Sequence, residues 1–166
     1  MVDIYISVGS NVEAAKNVQS GITQLRQLFG DLRLSRVYES EAVGFNGENF
    51  LNLVVAAQVD MPIMQVSATL RKIEDSHRRD RSTPRFSPRT LDLDLLLYGD
   101  EVYCEHGLTI PREEITKNAF VLAPLTELAP ELTHPLLKQN YQTLWEAYDK
   151  TSQRLWPIEF NWDASL

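Results

Sequence analysis

The chain has 166 residues, 43 % of them apolar, which suits a single domain over 1–166 with a core of ordinary size. A net charge of −7 argues against bulk nucleic-acid binding. No apolar run approaches the ~20 residues of a membrane span, and the one cysteine, Cys104, excludes an internal disulfide.

The N-terminal "MVDIYISVGSN" has neither a basic start nor a long apolar run, so it reads as a strand and turn rather than a signal peptide. The expectation is a soluble cytoplasmic protein. In "IYISVGSN" (4–11) the strand ends in a Gly turn, and Asn11 is placed as a helix N-cap. Val18, Ile22, Leu25 and Phe29 recur at helical spacing, and Gly30 suits the C-terminal cap. "LRLSRVYES" (32–40) reads as a strand and 41–50 as a loop. In "FLNLVVAAQV" (50–59), Leu51, Leu53, Val55, Ala57 and Val59 share one strand face, with Phe50, Asn52, Val54 and Ala56 on the other. Asp60 and Pro62 open a second helix, with Ile63, Val66, Leu70, Ile73 and His77 on one side, running to about residue 80. "RSTPRFSPR" (81–89) is a loop.

Leu91, Leu93, Leu95 and Leu97 then alternate with Asp92 and Asp94, so a strand sends both carboxylates out of one face. A connection with a short hairpin (99–115) follows. A helix spans 116–130, with Pro124 inside or just past a break, and a last amphipathic helix covers 141–150. The order β–α–β–β–α–β predicts an α+β, ferredoxin-like core: an antiparallel sheet of order 4-1-3-2, helices on one face, and additional C-terminal helices. This order is expected to place the first and last strands centrally and to bring "SVGSN", Asn52 and the Asp pair together.

Two carboxylates on one strand face repel unless a cation lies near them. Their oxygens suit Mg²⁺, which takes one or two carboxylates and fills its other positions with water and phosphate. Scattered histidines and one cysteine offer no zinc pattern. From spacing alone a solvent-facing pair is equally compatible. Seven of the sixteen Lys and Arg (Arg71, Lys72, Arg78, Arg79, Arg81, Arg85 and Arg89) fall within nineteen residues just ahead of that strand. Guanidinium groups match phosphate oxygens, and cations beside metal-binding carboxylates are the general device of phosphoryl transfer. Phe50 and Asn52 on one face offer an aromatic plate beside an amide, which suits a flat heterocycle.

"FSPRTLDLDLLLYGD", with "YISVGSN" before it and "IP…AFVLAPLTELAP" after it, resembles the 6-hydroxymethyl-7,8-dihydropterin pyrophosphokinase family of folate biosynthesis, along residues 4 to about 133. The resemblance implies transfer of pyrophosphate from ATP to the pterin hydroxymethyl group, release of AMP, and two Mg²⁺ ions. It implies that Asp92 and Asp94 hold metal and that Arg79, Arg81 and Arg89 act catalytically on the phosphates. Glu74, Arg85, Phe86, Leu95, Thr109 and Arg112 would bind ATP. Phe50 and Phe120 would sandwich the pterin ring, with Asn52, Ser40, Ala42 and Val43 along its edge. The loops near 43–50 and 81–89 would close over the site, and a monomer is expected.

The chain departs from the family pattern at Arg112, where many members have histidine, at Glu113, where they have tyrosine, and at Asn118, where they have arginine. By the resemblance these positions would lie along the phosphates. Two alternatives follow: a catalytically weakened paralogue that binds pterin or nucleotide without efficient transfer, and, more remotely, a ferredoxin-like RNA-binding module.

Overall fold

The computed structural model describes residues 1–41, 48–77 and 90–162. The elements in chain order are β1 (Val2–Ser10), α1 (Ala14–Phe29), β2 (Arg33–Leu34), β3 (Val37–Ser40), β4 (Phe50–Val59), α2 (Ile63–His77), β5 (Asp92–Tyr98), β6 (Tyr103–Glu105), β7 (Leu108–Ile110), α3 (Glu114–Lys117), α4 (Ala119–Leu128), α5 (Tyr141–Ala147) and β8 (Leu155–Ile158). The main sheet runs β5-β1-β4-β3-β8, with β2 also on β4, and every pairing is antiparallel. The ferredoxin-like order is therefore present. The central strands are β1 and β4, however, and β5 lies at the edge, which corrects the expectation that the last strand of the core would be central.

The period-two pattern decides what each face carries. Ile4, Ile6 and Val8 of β1, and Leu51, Leu53, Val55, Ala57 and Val59 of β4, pack with Leu93 and Leu95 of β5. They meet Val18, Ile22 and Leu25 of α1 and Val66, Leu70 and Ile73 of α2. The other face carries Tyr5, Val54, Ala56, Leu96 and Leu97 against Ile115, Val121, Leu122, Leu125 and Tyr141. The C-terminal helices thus cover the second face of the sheet, toward its Tyr5–Leu97 end.

Four local expectations change. Asn11 does not cap α1: Glu13, at φ 42°, precedes the first helical residue, and the Asn11 amide donates instead to the Glu48 carbonyl at 3.2 Å. The strand 32–40 is split at Ser35 and Arg36, where Ser35 stitches the break to Val54 through its own N–H (3.0 Å) and through its hydroxyl, which accepts the Val54 N–H at 2.9 Å. The register against β1 pairs Ile6 with Leu95 and Tyr5 with Leu97, leaving Leu96 as a bulge that turns Leu97 to the opposite face from Leu95. The helix 116–130 is broken at Asn118, with Pro124 inside α4.

The tail forms a strand, β8, beside β3. Beyond it Phe160 and Trp162 pack together at 4.4 Å between ring centres and lie against the α1/α2 core. No described helix is long and apolar enough to cross a membrane.

Candidate functional site

The part of the second face that the helices leave open is where the polar positions of three strands gather. The register sets Asn52 of β4 opposite Gly9 of β1, and Gly9 opposite Asp92 of β5. Ser7 is paired with Asp94. These residues, with Phe50, Ser40 and Glu41, form the floor and rim of a cavity of about 290 Å³. Asn118, Phe120 and Val121 at the start of α4 form its facing wall, and Arg112 and Glu114 close one end.

Gly9 is required by a close approach: a Cβ there would lie 3.0 Å from Asn52 Oδ1. Its absence lets the Asn52 amide lie across the floor, where Nδ2 donates to Ser40 Oγ at 2.9 Å. Both Asn52 and Ser40 are buried, so this hydrogen bond fixes the orientation of an amide edge in a place where water competes little.

The wall has its own supports. Asn118 leaves the N-terminus of α4 uncapped by its own side chain. Gln153, from the tail, does that work: its Oε1 accepts the Ala119 N–H at 2.8 Å, and its Nε2 donates to Asn118 Oδ1 at 3.0 Å. At the other end of α4, Glu127 accepts from the Arg36 N–H (2.7 Å), Arg36 Nε (3.1 Å) and the Tyr38 hydroxyl (2.7 Å), tying the helix to β3. Burial, with the Glu127 carboxylate alongside, pushes the Tyr38 phenol up to about 12, so it stays a donor at any physiological pH.

A second, more polar cavity of about 300 Å³ lies on the other side of Asp94. It is lined by Arg71 and Glu74 of α2, Leu93 and Leu95 of β5, and His106 and Leu108 of the hairpin. Glu74 accepts the Leu93 N–H at 3.0 Å and so fastens α2 to the edge strand. The two cavities share Asp94 and Arg112. Arg112 Nη2 lies 3.3 Å from Asp94 Oδ1, and Arg112 Nε 3.1 Å from Glu114 Oε2. The Nε–H is nevertheless not aimed at that carboxylate and makes no hydrogen bond among the described residues, so this contact is electrostatic rather than a formed hydrogen bond.

Of the residues expected at a site, Ser40, Phe50, Asn52, Asp92, Asp94, Arg112 and Phe120 line the first cavity, and Glu74, Asp94, Leu95 and Arg112 the second. Thr109 is exposed on β7 and lines neither; its hydroxyl lies 3.9 Å from Cys104 Sγ. Ala42, Val43, Arg79, Arg81, Arg85, Phe86 and Arg89 lie outside the described residues. Ser7 and Gly9 belong to the "SVGSN" stretch expected beside Asn52 and the Asp pair, and the register places them there; sequence reasoning did not single out Glu114 or Gln153. Glu114 lies in a segment read only as a connection. Nothing local marks Gln153, whose partners are more than thirty residues away in the chain.

Asp92 and Asp94 offer hard oxygen donors, and no group of three or more metal-suited side chains occurs among the described residues. Both aspartates line the first cavity and Asp94 also the second, and such a pair suits a Mg²⁺ ion whose other positions are filled by phosphate and water.

The family model for 7,8-dihydro-6-hydroxymethylpterin-pyrophosphokinase (HPPK) matches residues 5–130. A 2-amino-4-hydroxy-6-hydroxymethyldihydropteridine pyrophosphokinase of Aquifex aeolicus is 32 % identical over 142 residues, covering 84 % of this chain and 88 % of that protein. The protein of the same name from Synechocystis sp. is 33 % identical over 156 residues, covering 92 % and 78 %. In backbone, the chain is similar to Plasmodium falciparum HPPK-DHPS, with a TM-score of 0.69 at 13 % identity. That match covers 88 % of this chain but only 43 % of the Plasmodium chain, and at such identity it bears on the fold alone. Nothing in these comparisons favours a weakened paralogue. The open face of the sheet, the Asp pair and the two adjoining cavities belong to a chain of the 7,8-dihydro-6-hydroxymethylpterin-pyrophosphokinase family.

Proposed function

We propose that this protein transfers pyrophosphate from ATP to the hydroxymethyl group of 6-hydroxymethyl-7,8-dihydropterin, releasing AMP, as a step of folate biosynthesis. The observation that carries the reading is the meeting of two cavities at Asp94. One carries two aromatic rings and a fixed amide. The other is polar and lined by Arg71, Glu74 and His106. A pterin in the first and a triphosphate in the second bring the two reacting groups together beside the Asp pair.

In this assignment Phe50 and Phe120 hold the pterin ring, and Asn52, with Ser40, reads its edge. Asp92 and Asp94 hold Mg²⁺, two ions in the full proposal, and the metal supplies charge neutralisation at the phosphates. Arg112 belongs to the nucleotide side together with Glu74 and Leu95. Arg85 and Phe86 are proposed to complete that side, Arg79, Arg81 and Arg89 the catalytic arginines, and Ala42 and Val43 the pterin edge. The hydroxymethyl oxygen forms a bond to the β-phosphorus. The bond from that phosphorus to the oxygen bridging to the α-phosphate breaks, AMP leaves with that oxygen, and the hydroxyl proton passes to solvent. No described residue stands out as a general base, so positioning and charge neutralisation carry the acceleration. The proposal extends to a single domain over the whole chain, a monomer, and a cytoplasmic location consistent with the free, exposed Cys104.

The test is ³¹P NMR of the products from ATP, Mg²⁺ and the dihydropterin. A pterin diphosphate ester and AMP in equal amounts are expected. ADP with a pterin monophosphate would instead assign the protein as a simple kinase.

A further inference from the structure

We propose that Arg112 is an exchangeable counter-cation for Asp94: it yields the carboxylate to a divalent metal and turns to the nucleotide phosphates, so that one side chain links metal loading to phosphate binding. The inference rests on the reading of Asp94 as a metal ligand.

Arg112 pairs with Asp94 at 3.3 Å and with Glu114 at 3.1 Å, and its side chain is about one-third exposed. A carboxylate that already holds a guanidinium carries a positive charge within a few ångströms of where a metal would bind. Two cations that close repel even at a partly exposed site. Arginine and metal therefore compete for Asp94.

The geometry favours movement of the arginine over loss of the metal. The Arg112 backbone is pinned, since its N–H donates to the Leu96 carbonyl at 3.0 Å, so only the side chain needs to move. Its hold on Glu114 is loosely aligned, with a buried Nε–H that finds no acceptor among the described residues. The residue lines both cavities, so a swing into the second brings the fork to the space shared with Arg71 and Glu74. A phosphate there offers the guanidinium fork a bidentate partner in place of its single contact to Asp94.

The experiment counts free Mn²⁺ by electron paramagnetic resonance, first with the metal alone and then with α,β-methylene-ATP, for wild type, R112Q and R112K. With metal alone, R112Q is expected to bind Mn²⁺ about tenfold more tightly than wild type, a shift of about 1.4 kcal/mol. R112K, which keeps the charge, stays near wild type. With Mn²⁺ present, the analogue binds R112Q about tenfold more weakly, so the gain in metal affinity that the nucleotide brings shrinks in step. An arginine that merely braced the site would give weaker binding of both. R112Q binding Mn²⁺ alone no more tightly than wild type overturns the exchange. No retained Mn²⁺ in wild type, even with the analogue, overturns the metal reading and the exchange together.

Discussion

At the scale of single residues, the site depends on a few side chains whose chemistry has no local substitute. Asp94 stands where both cavities meet, and Asp92 is its neighbour on the same face. Asp92→Asn and Asp94→Asn keep the shape and remove the charge. Each is expected to lower turnover by at least about a hundredfold with a melting temperature close to wild type; steady-state rates alongside thermal melts check this. Gly9 contributes only the absence of a Cβ. In Gly9→Ala the new methyl, 3.0 Å from Asn52 Oδ1, obliges the amide to shift by a few tenths of an ångström. Pterin affinity is expected to fall roughly three- to tenfold, the worth of about one hydrogen bond, while ATP affinity holds. Titration calorimetry with each ligand separates the two, and an equal loss for both would count against Asn52 as the reader of the pterin edge.

At the scale of elements, the pterin wall is held by segments that do not line the cavity. Gln153 caps α4 from the tail, and the same tail pairs β8 with β3, the strand that ends in Ser40. An N-terminal cap is worth about 1 kcal/mol. Gln153→Ala is therefore expected to cost about that in stability and to weaken pterin binding through Phe120 more than nucleotide binding, as denaturant melts and ligand titrations would reveal.

The turn after α4 is organised by buried His134, whose Nδ1 accepts the N–H groups of Leu136 and Leu137, each at 3.1 Å. Burial lowers its pKa below the ordinary value of about 6.5. The unfolded chain thus takes up a proton at a higher pH than the folded one does. The stabilisation is fully present above the unfolded value and is lost as pH falls through it toward the folded value. Melting temperatures at pH 7.5 and 5.5 are expected to differ less in His134→Asn, whose amide oxygen accepts without titrating, than in wild type.

At the scale of the whole molecule, the sheet works because its two faces do different jobs. One is apolar under α1 and α2 except at its β5 edge, where the second cavity opens between α2 and the hairpin. The other is apolar under α4 and α5 and polar where the first cavity opens. Much of this was legible in the sequence, since alternation is a local property: Leu51 to Val59 divided correctly between faces, and Asp92 and Asp94 were placed together with Phe50 and Asn52. What escaped is non-local. The bulge at Leu96 depends on register against Tyr5 and Ile6. The role of Asn11 depends on Glu48, and β8 on an edge of the sheet that only the folded chain presents. Thr109 came from the family resemblance rather than from its own surroundings, and its side chain lies apart from both cavities.

The central claim is that a nucleotide and a pterin react across Asp94. The most direct measurement is AMP release from ATP and Mg²⁺, with and without 6-hydroxymethyl-7,8-dihydropterin, in wild type and in Asp94→Asn. The account predicts AMP that depends on the pterin in wild type and nearly vanishes in the variant. AMP release indifferent to the pterin, or undiminished in Asp94→Asn, would contradict it.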